Sequence, residues 1–289
     1  MNLSSHCLIM AWLYAMVKET LRVEIAEIPI RINNESSLSR SYLKDRLRGF
    51  YSLRKPEFDF TIVNGNISLT DVDYEDAFFL IDVISKGSHF KFYIKSRPHL
   101  LLGTLDSERR ECRFIHRNLH MSEMYLMPFL RAAFELLLTD LGGFLIHSCG
   151  LARDKNSYLF PGPSGCGKTT ISRLSQGFRV LSDEFICVRK IQNQIFIYST
   201  PWQGKLQRQQ RYPLRRIFFP SRSESLSFER LKPAAAITEI FPNIIYPHYN
   251  RELSSRIIDL LLQIVKRIPC YRMYFSLASR FWERLDDDS

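Results

Sequence analysis

Gly162-Pro163-Ser164-Gly165-Cys166-Gly167-Lys168-Thr169 is the stretch that decides how this chain is read. It has the form G-x-x-x-x-G-K-T, follows a short β-forming run at Tyr158 to Phe160, and opens a helical pattern from about Lys168 to Gln176. Glycines let such a loop curl so that successive backbone N–H groups point inward at phosphate oxygens. The helix start adds its own unpaired N–H groups and the positive end of its dipole. Lys168 is the cation placed to bridge terminal phosphates, and the Thr169 hydroxyl is the magnesium ligand in loops of this form. Gly162, Pro163, Ser164, Gly165, Cys166, Gly167, Lys168, Thr169 and Thr170 are therefore the candidate nucleotide-binding residues, with ATP and Mg2+ as the implied cofactors. Cys166 reads as a small filler within the loop. The competing reading, a glycine-rich turn with an incidental lysine, does not explain the strand before the loop or the helix after it.

Working outward, Phe144 to Ala152 and Tyr158 to Phe160 read as strands joined by a turn at Asp154-Lys155-Asn156. Beyond the helix, Gly177 is a stop signal and Phe178 to Leu181 begins another strand. Further strands are expected at Ile186 to Arg189, Ile195 to Tyr198 and Leu214 to Phe219, and helices at Pro233 to Phe241 and Glu252 to Lys266. Before the loop, apolar residues at helical spacing predict a helix over Ser122 to Leu141, stopped by Gly142-Gly143. The first 120 residues read mainly as strands. Leu21 to Ile28 alternates, Asp59 to Leu69 suggests a hairpin turning at Asn64-Gly65, and Phe78 to Ile84 with Phe90 to Ile94 flank a turn at Lys86-Gly87-Ser88. Glu111 to Ile115 adds one more strand. The expected organisation is a β-rich domain over 1–120, a connecting helix over 121–142, and an α/β (α+β) phosphate-loop domain with a mixed sheet over 143–289.

A loop of this kind needs a carboxylate for its metal. The next acids are Asp183 and Glu184, at the end of the strand Phe178 to Ser182 and about fifteen residues beyond Lys168. In the most widespread phosphate-loop proteins the metal carboxylate follows a further strand, so the short interval is informative. His147 lies on the strand before the loop. A lone histidine there is more often packed or solvated than functional.

The 289 residues are 45% hydrophobic and 24% charged, the range of a soluble globular protein. The formal charge of +10 suits acidic partners without choosing among them. The most basic stretch runs from Lys205 to Lys232, with Arg208, Arg211, Arg215, Arg216, Arg222 and Arg230 between them against only Glu224 and Glu229. It reads as a solvated loop or as a substrate-docking surface. No nucleic-acid motif accompanies the charge, and aromatics are not interleaved as stacking platforms. The six cysteines (Cys7, Cys112, Cys149, Cys166, Cys187, Cys270) form no CxxC pair, which argues against zinc. They are expected to be reduced and mostly buried in a cytoplasmic protein. The apolar run Leu8 to Val17 lacks the flanks of a signal sequence and is too short to span a bilayer, so a buried helix or strand is expected there. An amphipathic membrane contact is left open, as is homo-oligomerisation.

Taken together, Ile146-His147-Ser148-Cys149-Gly150, the loop, and Val180-Leu181-Ser182-Asp183-Glu184 resemble the HPr kinase/phosphorylase family, whose phosphate-loop variant is shared with phosphoenolpyruvate carboxykinases. Ser199-Thr200-Pro201-Trp202-Gln203-Gly204, Pro213-Leu214, Ile268-Pro269-Cys270-Tyr271 and Phe281-Trp282 are similar to the shorter HPr-kinase-related proteins of lasso-peptide modification and polysaccharide gene clusters. The resemblance spans about residues 143 to 285. It implies that Asp183 is a general base, a magnesium ligand or both, that Glu184 binds magnesium directly or through water, and that His147 orients a carboxylate. Glu184 stands where the family generally has Asp, one methylene shorter. The longer signature of true HPr kinases is missing, so phosphorylation of HPr itself and the reverse reaction are not implied. The expected function is a Mg-ATP-dependent kinase transferring the γ-phosphoryl group to a hydroxyl, a serine above all, of a peptide or protein. In it Asp183, His147 and Lys168 are catalytic, and one of Arg208, Arg211, Arg215 or Arg216 could add a cation. The alternative is a nucleotide-binding regulator or ATPase without an external acceptor.

Overall fold

Strand patterns dominate this chain, and the computed structural model turns them into two mostly β sheets with five α-helices among the described residues. It describes residues 19–36, 40–65, 81–94, 97–116, 119–202, 208–245, 250–276 and 282. The apolar run at Leu8 to Val17 and Cys7 lie outside them. The chain divides into two compact units, Met1–Phe134 and Glu135–Ser289.

The first unit is a seven-stranded mixed sheet. Its strands are β1 (Glu19–Ile25), β2 (Ile28–Asn34), β3 (Phe58–Asn64), β4 (Ile81–Lys86), β5 (His89–Ile94), β6 (Arg97–Asp106) and β7 (Glu111–His116), in spatial order β1-β2-β3-β7-β6-β5-β4. A short helix, α1 (Arg40–Leu47), connects β2 towards β3. The expected strand Leu21 to Ile28 breaks at Ala26-Glu27, both at positive φ, and folds back as the β1–β2 hairpin. The β4–β5 hairpin forms as expected, with Gly87 at φ +59 in its two-residue turn. Strands β2 and β7 pair in parallel along both edges of β3, and the second arm of the hairpin expected at Asn64-Gly65 lies outside the described residues. Helix α2 (Leu119–Asp140), close to the expected span, presses Phe129 onto the sheet between Phe60, Phe92 and Phe114, at ring separations of 5.8, 4.8 and 5.1 Å. Gly103 of β6 makes room for that ring, since a Cβ there would lie 2.6 Å from Phe129 Cζ and 2.0 Å from the Arg113 carbonyl oxygen.

The second unit rests on two long strands, β8 (Gly143–Arg153) and β13 (Arg211–Arg222), shared by two groups of pairings. The first half of β8 pairs with β11 (Phe185–Ile191) and the two-residue β15 (Ile244–Ile245). Its second half pairs with β9 (Asn156–Pro161) and β10 (Arg179–Ser182). β13 likewise pairs first with β12 (Gln194–Tyr198), then in parallel with β9, then in parallel with β16 (Cys270–Phe275). Strand β14 (Ser227–Arg230) forms the edge beyond β16. Because side chains alternate across a strand, β8 sends Phe144, Ile146 and Ala152 into one core and Cys149 and Leu151 into another. The first core is covered by α4 (Pro233–Ile240) and α5 (Arg251–Arg267), the second by α3 (Lys168–Leu174).

Helix α5 buries Leu253, Ile257, Leu260, Leu261, Ile264 and Val265, a stripe at three- and four-residue spacing. Each contributes about 1.5–3 kcal/mol of burial. Asn250 caps it by accepting from the Leu253 N–H at 3.1 Å, and Lys266 with Arg267 suits the negative end of its dipole. Four of the five described cysteines, Cys112, Cys149, Cys187 and Cys270, are buried, as expected of most of them; Cys166 is half-buried, and all five are free thiols. No helix among the described residues is long and apolar enough to cross a membrane.

Candidate active site

The register of β8 assembles the candidate residues. On one flank, Pro161 at the end of β9 lies opposite Ser148, so the glycine-rich loop leaves the sheet at that level. On the other flank, Ser182 at the end of β10 lies opposite Gly150 and Phe185 at the start of β11 lies opposite His147. Asp183 and Glu184 are the two residues between those strands, and the Ser148 N–H donates to the Glu184 carbonyl oxygen at 3.0 Å. The loop and the acidic turn thus flank one short segment of β8.

The acidic turn is tied down locally. The Ser182 hydroxyl oxygen accepts from the N–H groups of Glu184 and Phe185, at 3.2 and 3.3 Å. Such a serine competes with the strand ladder for backbone donors and so favours a turn. His147 Nε2 lies 3.2 Å from a Glu184 carboxylate oxygen, with the His147 side chain 30% exposed. Burial lowers the His147 pKa below its ordinary value and the nearby Lys168 ammonium lowers it further, while Glu184 opposes both. The ring is therefore neutral near pH 7, and the contact requires Nε2 to carry its proton and donate to Glu184.

In the loop, Gly165 and Gly167 adopt φ +82 and +112, the left-handed region that favours glycine. Gly167 also packs against Phe275, whose Cζ would lie 2.7 Å from an added Cβ. The Lys168 side chain is buried, and its Nζ donates to the carbonyl oxygens of Gly162 and Pro163 at 2.6 and 2.9 Å. Thr169 is exposed on the first turn of α3, with Thr170 half-buried beside it, while Ser164 and Gly165 are exposed at the loop tip. Beneath the loop, burial pushes the Cys149 thiol pKa far up. Asp183 raises it further, Lys168 opposes, and Cys166 adds to the rise, so these four groups share one electrostatic neighbourhood.

His147, Lys168, Asp183, Glu184 and Cys166 are thereby brought together. Of the candidate cations, Arg216 is buried on β13 and faces the Tyr271 ring at 6.0 Å, and Arg211 lies over Phe196 at 4.5 Å. Both are used in packing the sheet. Lys205 lies outside the described residues. Ser182 and Phe275 were not singled out from the sequence. The Ser-Asp-Glu spacing was a readable turn signal for the first, whereas nothing local marks Phe275 as the residue that fills the space under Gly167.

Among the described residues, no group of three His, Cys, Asp or Glu side chains converges as a metal cage. Two carboxylates and one hydroxyl (Asp183, Glu184 and Thr169) are a donor set that suits magnesium, which keeps several waters and takes its remaining ligands from phosphates.

The fold and site define a mixed α+β protein whose second unit sets a glycine-rich loop, opening a helix, beside a serine-braced acidic turn. The chain belongs to the ScmC family: the model of the SynChlorMet cassette protein ScmC matches residues 117–287, more than half of its length. No curated protein matches the chain.

Proposed function

We propose that this protein is a magnesium- and ATP-dependent kinase of HPr kinase/phosphorylase type that transfers the γ-phosphoryl group to a hydroxyl, a serine above all, of a peptide or protein. One observation carries the reading: the β8 register places the loop with Lys168 and the pair Asp183-Glu184 on the two flanks of His147-Ser148. Phosphoryl transfer needs positioning and charge neutralisation more than covalent chemistry, and this arrangement supplies groups for both.

In this reading the loop N–H groups and the α3 N-terminus bind the phosphates. Lys168, held by the Gly162 and Pro163 carbonyls, exchanges them for phosphate oxygens. Asp183 accepts the proton of the attacking hydroxyl. Glu184, oriented by the proton on His147 Nε2, holds the metal or a water of its shell. Magnesium, when bound with Thr169, Asp183 and Glu184, supplies neutralisation of the triphosphate charge.

The test is transfer from radiolabelled ATP, with magnesium, to serine-containing peptides encoded by the genes adjacent to this one. Asp183→Asn is expected to lower transfer by roughly 10²–10⁴-fold, the contribution of a general base. It should leave the affinity for metal-free nucleotide within about twofold, because the loop N–H groups and Lys168 hold the phosphates. Absence of both peptide transfer and Asp183-dependent turnover sinks the proposal. ATP hydrolysis that Asp183→Asn leaves intact, with no acceptor, would instead favour an ATPase or nucleotide-binding regulator.

A further inference from the structure

We propose that the open cavity between the end of β14, the start of α4 and the last turn of α5 docks an acidic stretch of polypeptide. The cavity measures about 350 Å3 and no acidic residue lines it. Its rim carries Arg230, Lys232, Lys266 and Arg267, and its floor includes Leu231 and Ile268. The four cations come in two pairs from two segments, 230–233 and 265–270, more than thirty residues apart in the chain, so only the fold gathers them.

Their charge is uncompensated. Among the described residues, Arg230, Lys232 and Lys266 engage no carboxylate, and Arg267 donates only to the Asn193 carbonyl oxygen at 3.1 Å. Two acids near these residues in the chain, Glu229 and Glu239, are both paired with Arg272 of β16. Four like charges around one concave surface create a positive field that selects anions.

The form of the site favours a peptide over a compact anion. All four rim side chains are exposed, on long stems spread over the two segments. That arrangement suits carboxylates spaced along a chain, whereas a small anion needs short, fixed donors converging on one point. The apolar floor accepts methylene stems. Strand β14 ends at Arg230 and pairs with β16 on one side only among the described residues. An extended peptide can lie along that free edge by main-chain hydrogen bonds and set its side chains at the cavity. This inference does not rest on the phosphotransfer reading, because binding is measured without nucleotide.

The experiment is fluorescence anisotropy of the full chain with fluorescein-labelled hexaglutamate, with hexaglutamine and hexalysine as controls. Hexaglutamate is expected to bind, and more weakly as salt rises, since exposed charges are screened over about 10 Å at 0.1 M. The double variant Lys232→Glu/Lys266→Glu should bind about tenfold more weakly, with Lys168→Ala unchanged. Lys232→Gln/Lys266→Gln, which adds no repulsion, should give an intermediate loss and serves if the reversal fails to fold. Equal binding by the glutamine pair and wild type, loss on Lys168→Ala alone, or equal binding of hexaglutamine each overturns the proposal. So does a cavity that inorganic pyrophosphate fills while hexaglutamate does not bind.

Discussion

At the residue scale, Gly167 is constrained twice, by its φ of +112 and by Phe275 at 2.7 Å from any added Cβ. Gly167→Ala should cost about 1–3 kcal/mol from the backbone alone, with the clash adding to it, and thermal unfolding measures the sum. The His147 pKa is lowered in the fold by burial and Lys168. The unfolded chain therefore binds more protons near its ordinary value, so the associated stability is complete above that value and is lost as pH falls through it towards the folded pKa. His147→Gln should flatten the dependence of urea-unfolding stability between about pH 7.5 and 5.5. The loop, Lys168 and the two acids were legible from spacing because each sits within one local segment. That His147 meets a carboxylate was implied only by the family resemblance, and that the carboxylate is Glu184 depends on which residue of β11 falls opposite His147 in β8.

At the scale of elements, α3 has seven residues, too short to be stable alone. It is held at its start by the loop and at its end by Trp282, whose Nε1 donates to the Ser175 hydroxyl at 2.9 Å while Ser175 donates to the Ile171 carbonyl oxygen. The Trp282 ring also stacks on Phe178 at 3.7 Å. Trp282→Ala should destabilise the protein by about 3 kcal/mol, and amide exchange should accelerate across Ile171 to Ser175 ahead of α5. Helix α5 was readable because its apolar stripe repeats over 17 residues. Strands β14 and β16 were missed: β16 owes its place to parallel pairing with β13, some fifty residues earlier, which leaves no turn signal between them. The parallel pairing of β3 with both β2 and β7 was unreadable for the same reason, since its partners lie far along the chain.

For the molecule as a whole, burial sorts the thiols. It pushes Cys112, Cys149 and Cys187 far up in pKa and Cys270 to about 12, and leaves Cys166 half-exposed in the loop. Among the five described cysteines, iodoacetamide on the native protein should label Cys166 first, with the other four reacting only on unfolding, as peptide mass mapping would show. If the loop binds triphosphate, Mg-ATP should slow that labelling. At a hundredfold excess over Kd it should also add about 2.7 kcal/mol of stability to the chain. By itself the sequence determined the glycine-rich loop and its helix, the acidic pair, most strands of the second unit and its two later helices, because turn chemistry and apolar periodicity act over a few residues. Only the tertiary structure decided that β8 and β13 are shared between two sets of partners, that the loop and the acidic turn flank one segment of β8, and that two pairs of cations far apart in the chain rim one cavity. Those outcomes depend on strand register and on packing between segments far apart in the chain, which no local pattern encodes.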